Sequence, residues 1–157
     1  MSIKIEFRYA VLTSLVMFLW LISEYAIGLQ DTYITWHPYI TNLALIIPIV
    51  TYRIALNEKI EQNYGKLSFK QAFFSGLIMT VFGAILAVPL QLAFHKLINP
   101  DFFANMISEA VKKGHSSPEQ AALYFNLKSY ILESVLGTLI FGVILSLILA
   151  FRMRTVK

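Results

Sequence analysis

The sequence predicts an all-α protein: a four-helix transmembrane bundle with cytoplasmic N- and C-termini and an extracytoplasmic helical hairpin between spans three and four. Of the 157 residues, 57% are hydrophobic and 14% are charged, against about 45–50% and about 25% in soluble domains. Four apolar runs lie at about residues 9–29, 38–56, 73–94 and 133–151. Each is near the ~20 residues that cross a bilayer. The chain 1–157 is therefore interpreted as one membrane domain.

The distribution of basic residues predicts the orientation. With the N-terminus inside, the cytoplasmic segments hold nine of the thirteen Lys and Arg residues: Lys4, Arg8, Arg53, Lys59, Lys66, Lys70, Arg152, Arg154 and Lys157. The outer side holds the other four, which are Lys96, Lys112, Lys113 and Lys128. The positive-inside rule then favours cytoplasmic termini. The first run is interpreted as a retained helix, because it is too long for a signal peptide and lacks a small-x-small cleavage site.

The inner connection between spans two and three predicts a sharp helix boundary. Helix two should continue to about Tyr64, with Gly65 at the C′ position in a positive-φ conformation. Ser68 and Gln71 then form a capping box ahead of helix three. Six basic residues are predicted to anchor the inner face on acidic lipid headgroups, with a protein-docking surface as the alternative. They are Arg53, Lys59, Lys66, Lys70, Arg152 and Arg154.

The outer segment, residues 95–132, is too long for a plain turn and carries its own helix signals. Asn99 is a candidate N-cap with Pro100 at N1, and Gly114 should end that helix. An apolar stripe runs along it at Phe103, Met106, Ile107 and Ala110. This stripe is expected to cover the protein's own bundle, to meet the membrane surface or to bind a partner helix. Ser117 to Gln120 form a second capping box, after which helix four is predicted to run unbroken to about Arg152.

The segment "GKLSFKQAFFSG", which enters the third span, resembles the signature of the domain-of-unknown-function 4199 family, uncharacterised membrane proteins typical of Bacteroidota. The second span ending in Tyr52-Arg53 is also similar, as are the outer segment that begins "NPDF" and the short last span with its basic tail. The resemblance covers nearly the whole chain. It implies a four-span, multi-pass protein of the bacterial cytoplasmic (inner) membrane, and it implies no activity, catalytic residue or ligand.

Small residues recur along helices three and four. Helix four has Ser134, Thr138, Gly142 and Ser146 at every fourth position, and helix three has Gly76, Thr80, Gly83 and Ala84. Within a membrane, helices associate by close packing through such residues, since lipid tails are as apolar as leucine. We therefore expect these two helices to pack along these ridges. Pro48 and Pro89 lie inside helices two and three and predict kinks, with a transport hinge as the less favoured interpretation.

Three classes of function are compared with the residues that each would require. An enzyme needs a nucleophile with a base or a metal constellation, but cysteine is absent and His37, His95 and His115 share no ligand spacing. No catalytic residue, metal or cofactor is therefore predicted, and a lipid-acting enzyme is the least favoured class. A small oligomeric transporter or channel is the second. The favoured class is a structural or accessory protein with a docking outer hairpin, whose partners are the lipid bilayer and a protein or a second copy, and not nucleic acid.

Glu24 is the one carboxylate deep inside an apolar run. Polar residues from all four helices are predicted to gather at its depth, near the outer surface: Glu24, Asn42, Gln91, His95 and Glu133. A charge that faces lipid costs several kcal/mol, so we expect Glu24 to face the interior within hydrogen-bond reach of Gln91 or His95. The favoured interpretation is a hydrogen-bonded cluster that fixes helix register. The alternatives are a cation or proton site of Glu24, His95 and Glu133, or a Glu24 that reaches water.

Overall fold

The computed structural model describes residues 3–156 and is helical throughout, with no strand in that range and one isolated bridge between Ser68 and Val156. The main helices are α1 (Lys4–Ala26), α3 (Ile46–Gln62), α4 (Phe69–Ala93) and α7 (Leu127–Met153). The shorter ones are α2 (His37–Ile40), α5 (Phe102–Lys112) and α6 (Pro118–Tyr124). Met1, Ser2 and Lys157, the last of which was counted among the inner basic residues, lie outside the described range.

Four helical segments are long and apolar enough to cross a membrane: Lys4–Ala26, Ile34–Gln62, Phe69–Ile98 and Leu127–Met153. Their outward-facing side chains are largely apolar, among them Leu19, Ile85 and Ile140, as a lipid-facing surface requires. The all-α prediction with four spans is thus confirmed, and it indicates a multi-pass membrane protein. The bounds differ by a few residues because polar residues such as Glu6 and Lys128 continue the helices beyond the apolar runs.

Helix-boundary signals in the sequence act as predicted at four places. Gly65 and Gly114 have positive φ, at 81° and 70°, which an L side chain rarely adopts. Both predicted capping boxes form: the Gln71 N–H donates to Ser68 Oγ at 3.2 Å and the Gln120 N–H to Ser117 Oγ at 3.3 Å. These signals are local, because each needs only a short stretch of neighbouring chain.

Span two departs from the continuous helix, kinked at Pro48, that was expected. It enters through a 3₁₀ turn (Ile34–Trp36), the short α2 and a second 3₁₀ segment (Thr41–Leu45) before α3 begins at Ile46. Pro48 therefore lies in the first turn of α3 and does not kink a continuous helix. Its missing N–H cannot bond the Ala44 carbonyl, which favours the tighter 3₁₀ geometry before it. Pro89 does lie inside α4 as expected, and the π-helical turn Phe94–Ile98 follows that helix.

Two predictions about the segment between spans three and four are wrong. The N-cap of α5 is Asp101, and not Asn99, whose side chain instead bonds Gln30. The last helix is not continuous from Glu119, because α6 ends at Tyr124 and α7 begins at Leu127. Asn126 makes this break: its side-chain oxygen accepts from the Ser129 N–H at 3.0 Å and caps α7.

The helices pack in the order α3, α1, α4, α7, with the most extensive contact between α4 and α7 and only slight contact between α3 and α7. The apolar core lies toward the end of the bundle that holds both termini, around Tyr52, Leu56, Met79 and Leu149. The C-terminal segment is tied to the α3–α4 connection there, since the Thr155 N–H donates to the Leu67 carbonyl at 2.8 Å. Both termini and this connection therefore share one end.

Candidate functional site

Glu24 faces the interior of the bundle, 2% exposed. Its Oε1 accepts a hydrogen bond from Trp20 Nε1 at 2.6 Å, one turn earlier on α1. Its Oε2 accepts from Gln30 Nε2 at 3.4 Å and lies 3.6 Å from His37 Nε2. Two hydrogen-bond donors, Trp20 and Gln30, and His37 at ion-pair distance surround the carboxylate, so polar neighbours compensate its burial.

Gln30 extends this network to the rest of that end of the bundle. Its Nε2 also donates to the Leu21 carbonyl at 3.3 Å, and its Oε1 accepts from Asn99 Nδ2 at 2.8 Å. The Gln30 carbonyl accepts from Asn105 Nδ2 on α5 at 3.2 Å. Gly28, at φ 76°, turns the chain after α1 and brings Gln30 back over the helix end. One buried residue therefore ties α1 to the end of span three through its side chain and to α5 through its backbone carbonyl.

The five residues of the predicted cluster, of which Glu24 is one, do not all meet. Among the described residues, the side-chain partners of Glu24 are Trp20, Gln30, His37 and Thr41, so the expected bond to Gln91 or His95 is wrong. Gln91 instead donates to Ser134 Oγ at 3.4 Å. The reversal at Gly28 places Gln30 and His37 nearer, which sequence spacing could not show.

The other three members of that predicted cluster lie apart. Asn42 is exposed and its Nδ2 donates to the Pro38 carbonyl at 2.6 Å. Glu133 is exposed on α7, and its hydrogen-bonding carboxylate raises the pKa of the neighbouring Tyr124 phenol. His95 is buried among aromatic rings, with its ring centroid 4.6 Å from that of Phe103. This arrangement does not support the three-residue cation site that Glu24, His95 and Glu133 would have formed.

The aromatic packing around His95 also places the apolar stripe of α5. The Phe103 ring packs on His95 and on Tyr130 of α7, at 5.2 Å between the centroids of the latter pair. Met106, Ile107 and Ala110 are half-buried on the same helix. The stripe therefore packs at least at its Phe103 end on the protein's own bundle.

A second buried polar cluster lies at the opposite end and was missed by the sequence analysis. Lys59 Nζ forms an ion pair with Glu6 and donates to Ser75 Oγ at 3.2 Å. Ser75 Oγ donates to Glu6 Oε1 at 2.7 Å. Lys59 was predicted to be an exposed anchor, and this is wrong, since it is 6% exposed. The signal in the sequence is Glu6, an acidic residue just before an apolar run that needs a cation once the helix begins at Lys4.

The other predicted basic anchors lie on the surface. Arg53, Lys66, Lys70, Arg152 and Arg154 are all exposed. Beside them, Arg8 forms an ion pair with Glu58, which also accepts from the Tyr9 hydroxyl at 3.0 Å. These exposed charges lie at the end that holds the termini, where they suit a lipid headgroup region.

The small residues of α4 and α7 lie against one another in antiparallel register. A Cβ built on Gly76 would approach the Cβ of Ser146 to 2.6 Å, and one on Gly142 would approach that of Thr80 to 2.9 Å. Farther along, Gly83 faces Thr138 at 3.7 Å. Ala84 is buried, and Ser134 accepts from Gln91. Glycine is required at positions 76 and 142 because the facing helix fills the space of a side chain.

The described residues contain no group of three His, Asp or Glu side chains placed to hold a metal ion. The buried titratable groups of the two polar clusters instead bond neighbouring protein groups, with the exception of one Glu6 oxygen. Within residues 3–156, the unpartnered buried side-chain atoms are Glu6 Oε2, Gln91 Oε1 and His95 Nδ1.

A match to one protein family covers almost the whole chain. The model of a family described as "Protein of unknown function (DUF4199)" matches residues 8–155. The chain belongs to the DUF4199 family. The resemblance seen in the segment that enters span three is thereby confirmed. Comparisons of the DUF4199 chain with curated proteins and with solved structures found no match.

The matched range includes most of both polar clusters of the DUF4199 protein. It covers the network of Trp20, Glu24, Gln30 and Asn99, and it covers the α4–α7 contact. It also includes Lys59 and Ser75 but begins after Glu6. The family description adds no activity, so any function must be argued from the residues themselves.

Proposed function

We propose that this protein is a non-catalytic accessory protein of the bacterial cytoplasmic membrane whose α5–α6 hairpin, on the outer side, docks a partner membrane protein. The orientation rests on the excess of Lys and Arg in the terminal segments and the α3–α4 connection. Those segments share one end of the bundle, and the positive-inside rule assigns that end to the cytoplasm. The opposite end, with α5 and α6, then faces outward.

The observation that carries this proposal is a hairpin that is firmly held yet exposes apolar side chains. Asn105 of α5 bonds the Gln30 carbonyl, and Thr35 Oγ1 donates to Glu109 Oε1 at 2.7 Å. Glu109 also pairs with Lys113 at 3.1 Å. The bonds from Asn105 and Thr35 hold α5 against the loop after span one and the first turn of span two, which supports a hairpin with a fixed surface.

Three large apolar side chains between residues 97 and 124 are exposed. Leu123 and Tyr124 of α6 are 80% and 53% exposed, and Leu97 at the end of span three is 81% exposed. Large exposed apolar side chains on a fixed element are typical of protein or membrane interaction sites. A partner protein is favoured over the lipid surface because Glu109 and Glu119 balance the two lysines of the hairpin, Lys112 and Lys113. The hairpin therefore lacks the excess of basic residues that binds acidic headgroups.

The orientation can be tested with single cysteines, because the chain has none. Tyr64→Cys and Leu123→Cys both replace strongly exposed residues, at opposite ends of the bundle. In intact cells, a membrane-impermeant maleimide should label Leu123→Cys and should label Tyr64→Cys only after lysis. The reverse pattern would show that the termini lie outside.

The docking surface can be tested by site-specific photo-crosslinking from Leu123 in native membranes. We expect one discrete protein adduct, which should be lost when Tyr124→Glu is added because a charge interrupts the apolar contact. A crosslinker at Leu19, on the lipid-facing side of α1, is the matched control and should yield lipid adducts. Lipid adducts alone from Leu123 would contradict docking and would make α6 an interfacial membrane anchor.

A further inference from the structure

A cavity of about 300 Å³ lies between all four spans, at the outer half of the bundle. It exists because α3 and α7 barely touch while small residues line the other helices. Gly83, Ala87, Gly137 and Thr138 contribute to its wall. A Cβ built on Gly137 would meet none of the described atoms within 4 Å. The space is therefore left open by the choice of small side chains at the bundle centre.

The cavity is closed toward the inner end and open sideways. The Tyr52 hydroxyl and Thr80 Oγ1 lie 3.1 Å apart at its inner end. Asn42 and Leu45 on span two and Gly137 on α7 line the cavity and are exposed. The opening thus lies between span two and α7, within the apolar part of the bundle. A molecule that enters this way comes from the bilayer.

The wall selects an uncharged, largely apolar molecule. Its described lining residues include no Asp, Glu, Lys or Arg, and most of them are apolar, such as Met17, Phe18 and Leu90. An ionised headgroup buried there would lack a compensating charge. A cavity of about 150 Å³ holds one benzene molecule, so one twice that size holds roughly a dozen carbon atoms.

One polar group in the wall lacks a partner. Gln91 lines the cavity, and its Nε2 donates to Ser134 Oγ, whereas its buried Oε1 bonds none of the described groups. A buried amide oxygen that makes no hydrogen bond costs free energy, so a rotation of the Gln91 side chain that brings this oxygen from beneath the wall to a ligand hydroxyl in the cavity is favoured. A hydroxyl both donates and accepts, so it serves the free end of the amide in either orientation of the Gln91 side chain.

We propose that this cavity binds an uncharged lipid that carries a hydroxyl group, with the hydroxyl on the Gln91 amide and part of its chain between the four spans. The remainder of the chain extends through the opening between span two and α7 into the bilayer. This assignment is independent of the docking role of the outer hairpin. Apolar pockets with one or two placed polar groups are typical of small-molecule sites.

Binding can be measured through the fluorescence of Trp20, because this residue lines the cavity. The chain has one other tryptophan, Trp36, which is exposed outside the cavity. A Trp36→Phe variant in phosphatidylcholine nanodiscs would be titrated with dodecanol brominated on its second carbon, a contact quencher of tryptophan. Dodecane brominated at the same carbon is the matched control. We expect saturable quenching of Trp20 by both compounds. Half-maximal quenching by the alcohol should occur at a mole fraction roughly two- to tenfold lower than for the alkane, because one net hydrogen bond changes affinity by that ratio.

Two variants locate the site. Gly137→Leu should abolish saturable quenching by filling the cavity, while the fold is retained because nothing opposes the new side chain. Gln91→Leu should keep the quenching and remove the preference for the alcohol. Equal quenching by alcohol and alkane would overturn the hydroxyl assignment. No saturable quenching, as for a water-filled cavity, or quenching unchanged by Gly137→Leu, would overturn the site itself.

Discussion

Gly142→Leu is expected to separate α4 from α7 and to destabilise the protein by about 3 kcal/mol or more, at or above the usual cost of overpacking. The side chain would overlap Thr80, whose Cβ lies 2.9 Å from the added Cβ. Close approach of small residues is the main attraction between membrane helices, so the loss extends along the interface to Gly76 and Ser146. The measurement is unfolding in mixed micelles titrated with SDS.

Gly137→Leu on the same helix is the matched control for this prediction. It makes the same change of residue and gains the same helix propensity, about 0.8 kcal/mol over glycine. Its side chain enters open space, since no described atom lies within 4 Å of the added Cβ. It should therefore leave stability unchanged or raise it slightly. Thr80→Gly should also rescue Gly142→Ala. Equal losses from both leucine variants would contradict the close-packing account.

Lys59→Met should cost about 3–5 kcal/mol, because it leaves Glu6 buried without its cation. Glu6 and Lys59 are 0% and 6% exposed, and Ser75 is the other polar group that the structure places on the Glu6 carboxylate. The double variant Glu6→Leu with Lys59→Met should recover most of the loss, since an apolar pair of similar volume replaces a buried ion pair at little cost. The same SDS titration measures the stability of the single and the double variant.

The neighbouring pair of Arg8 and Glu58 is the control for that prediction. Arg8 is well exposed, and solvent-exposed ion pairs contribute at most about 1 kcal/mol. Glu58→Gln should therefore change stability little. If the double variant at positions 6 and 59 were as unstable as Lys59→Met alone, the loss would come from packing and not from an unpaired charge.

Predictions about local features of the chain were confirmed more often than predictions about long-range contacts. Capping at Ser68 and Ser117 and the turns at Gly65 and Gly114 follow from the residues themselves, since each signal needs only a few neighbours in the chain. The apolar runs predict four spans because crossing a bilayer sets length and composition without any tertiary contact. The small residues of α4 and α7 are visible as a pattern with a period of four. Membership of the DUF4199 family was also apparent in the segment from Gly65 to Gly76.

Long-range contacts determine which buried polar residues pair with one another. Lys59 has the same sequence surroundings as the exposed basic residues near it, and only the packing of α1 on α3 and α4 shows that it meets Glu6. The partners of Glu24 depended on the turn at Gly28, which returns Gln30 and His37 to the carboxylate in place of Gln91 and His95. Both outcomes depend on which buried groups find a donor or a cation within hydrogen-bond or ion-pair distance, and sequence spacing does not determine that distance.

The sequence by itself determined the class of the protein, because hydrophobic length, capping residues and turn glycines act over one element at a time. The tertiary structure alone decided the pairing of buried charges, the break before α7 at Asn126 and the cavity between the spans. A cavity is a volume that several helices leave unfilled together, so residues such as Gly137 and Gln91 acquire their significance only from the helices that they face. For the same physical reason, only the packed bundle could show that one glycine of α7 is tightly packed and another faces open space.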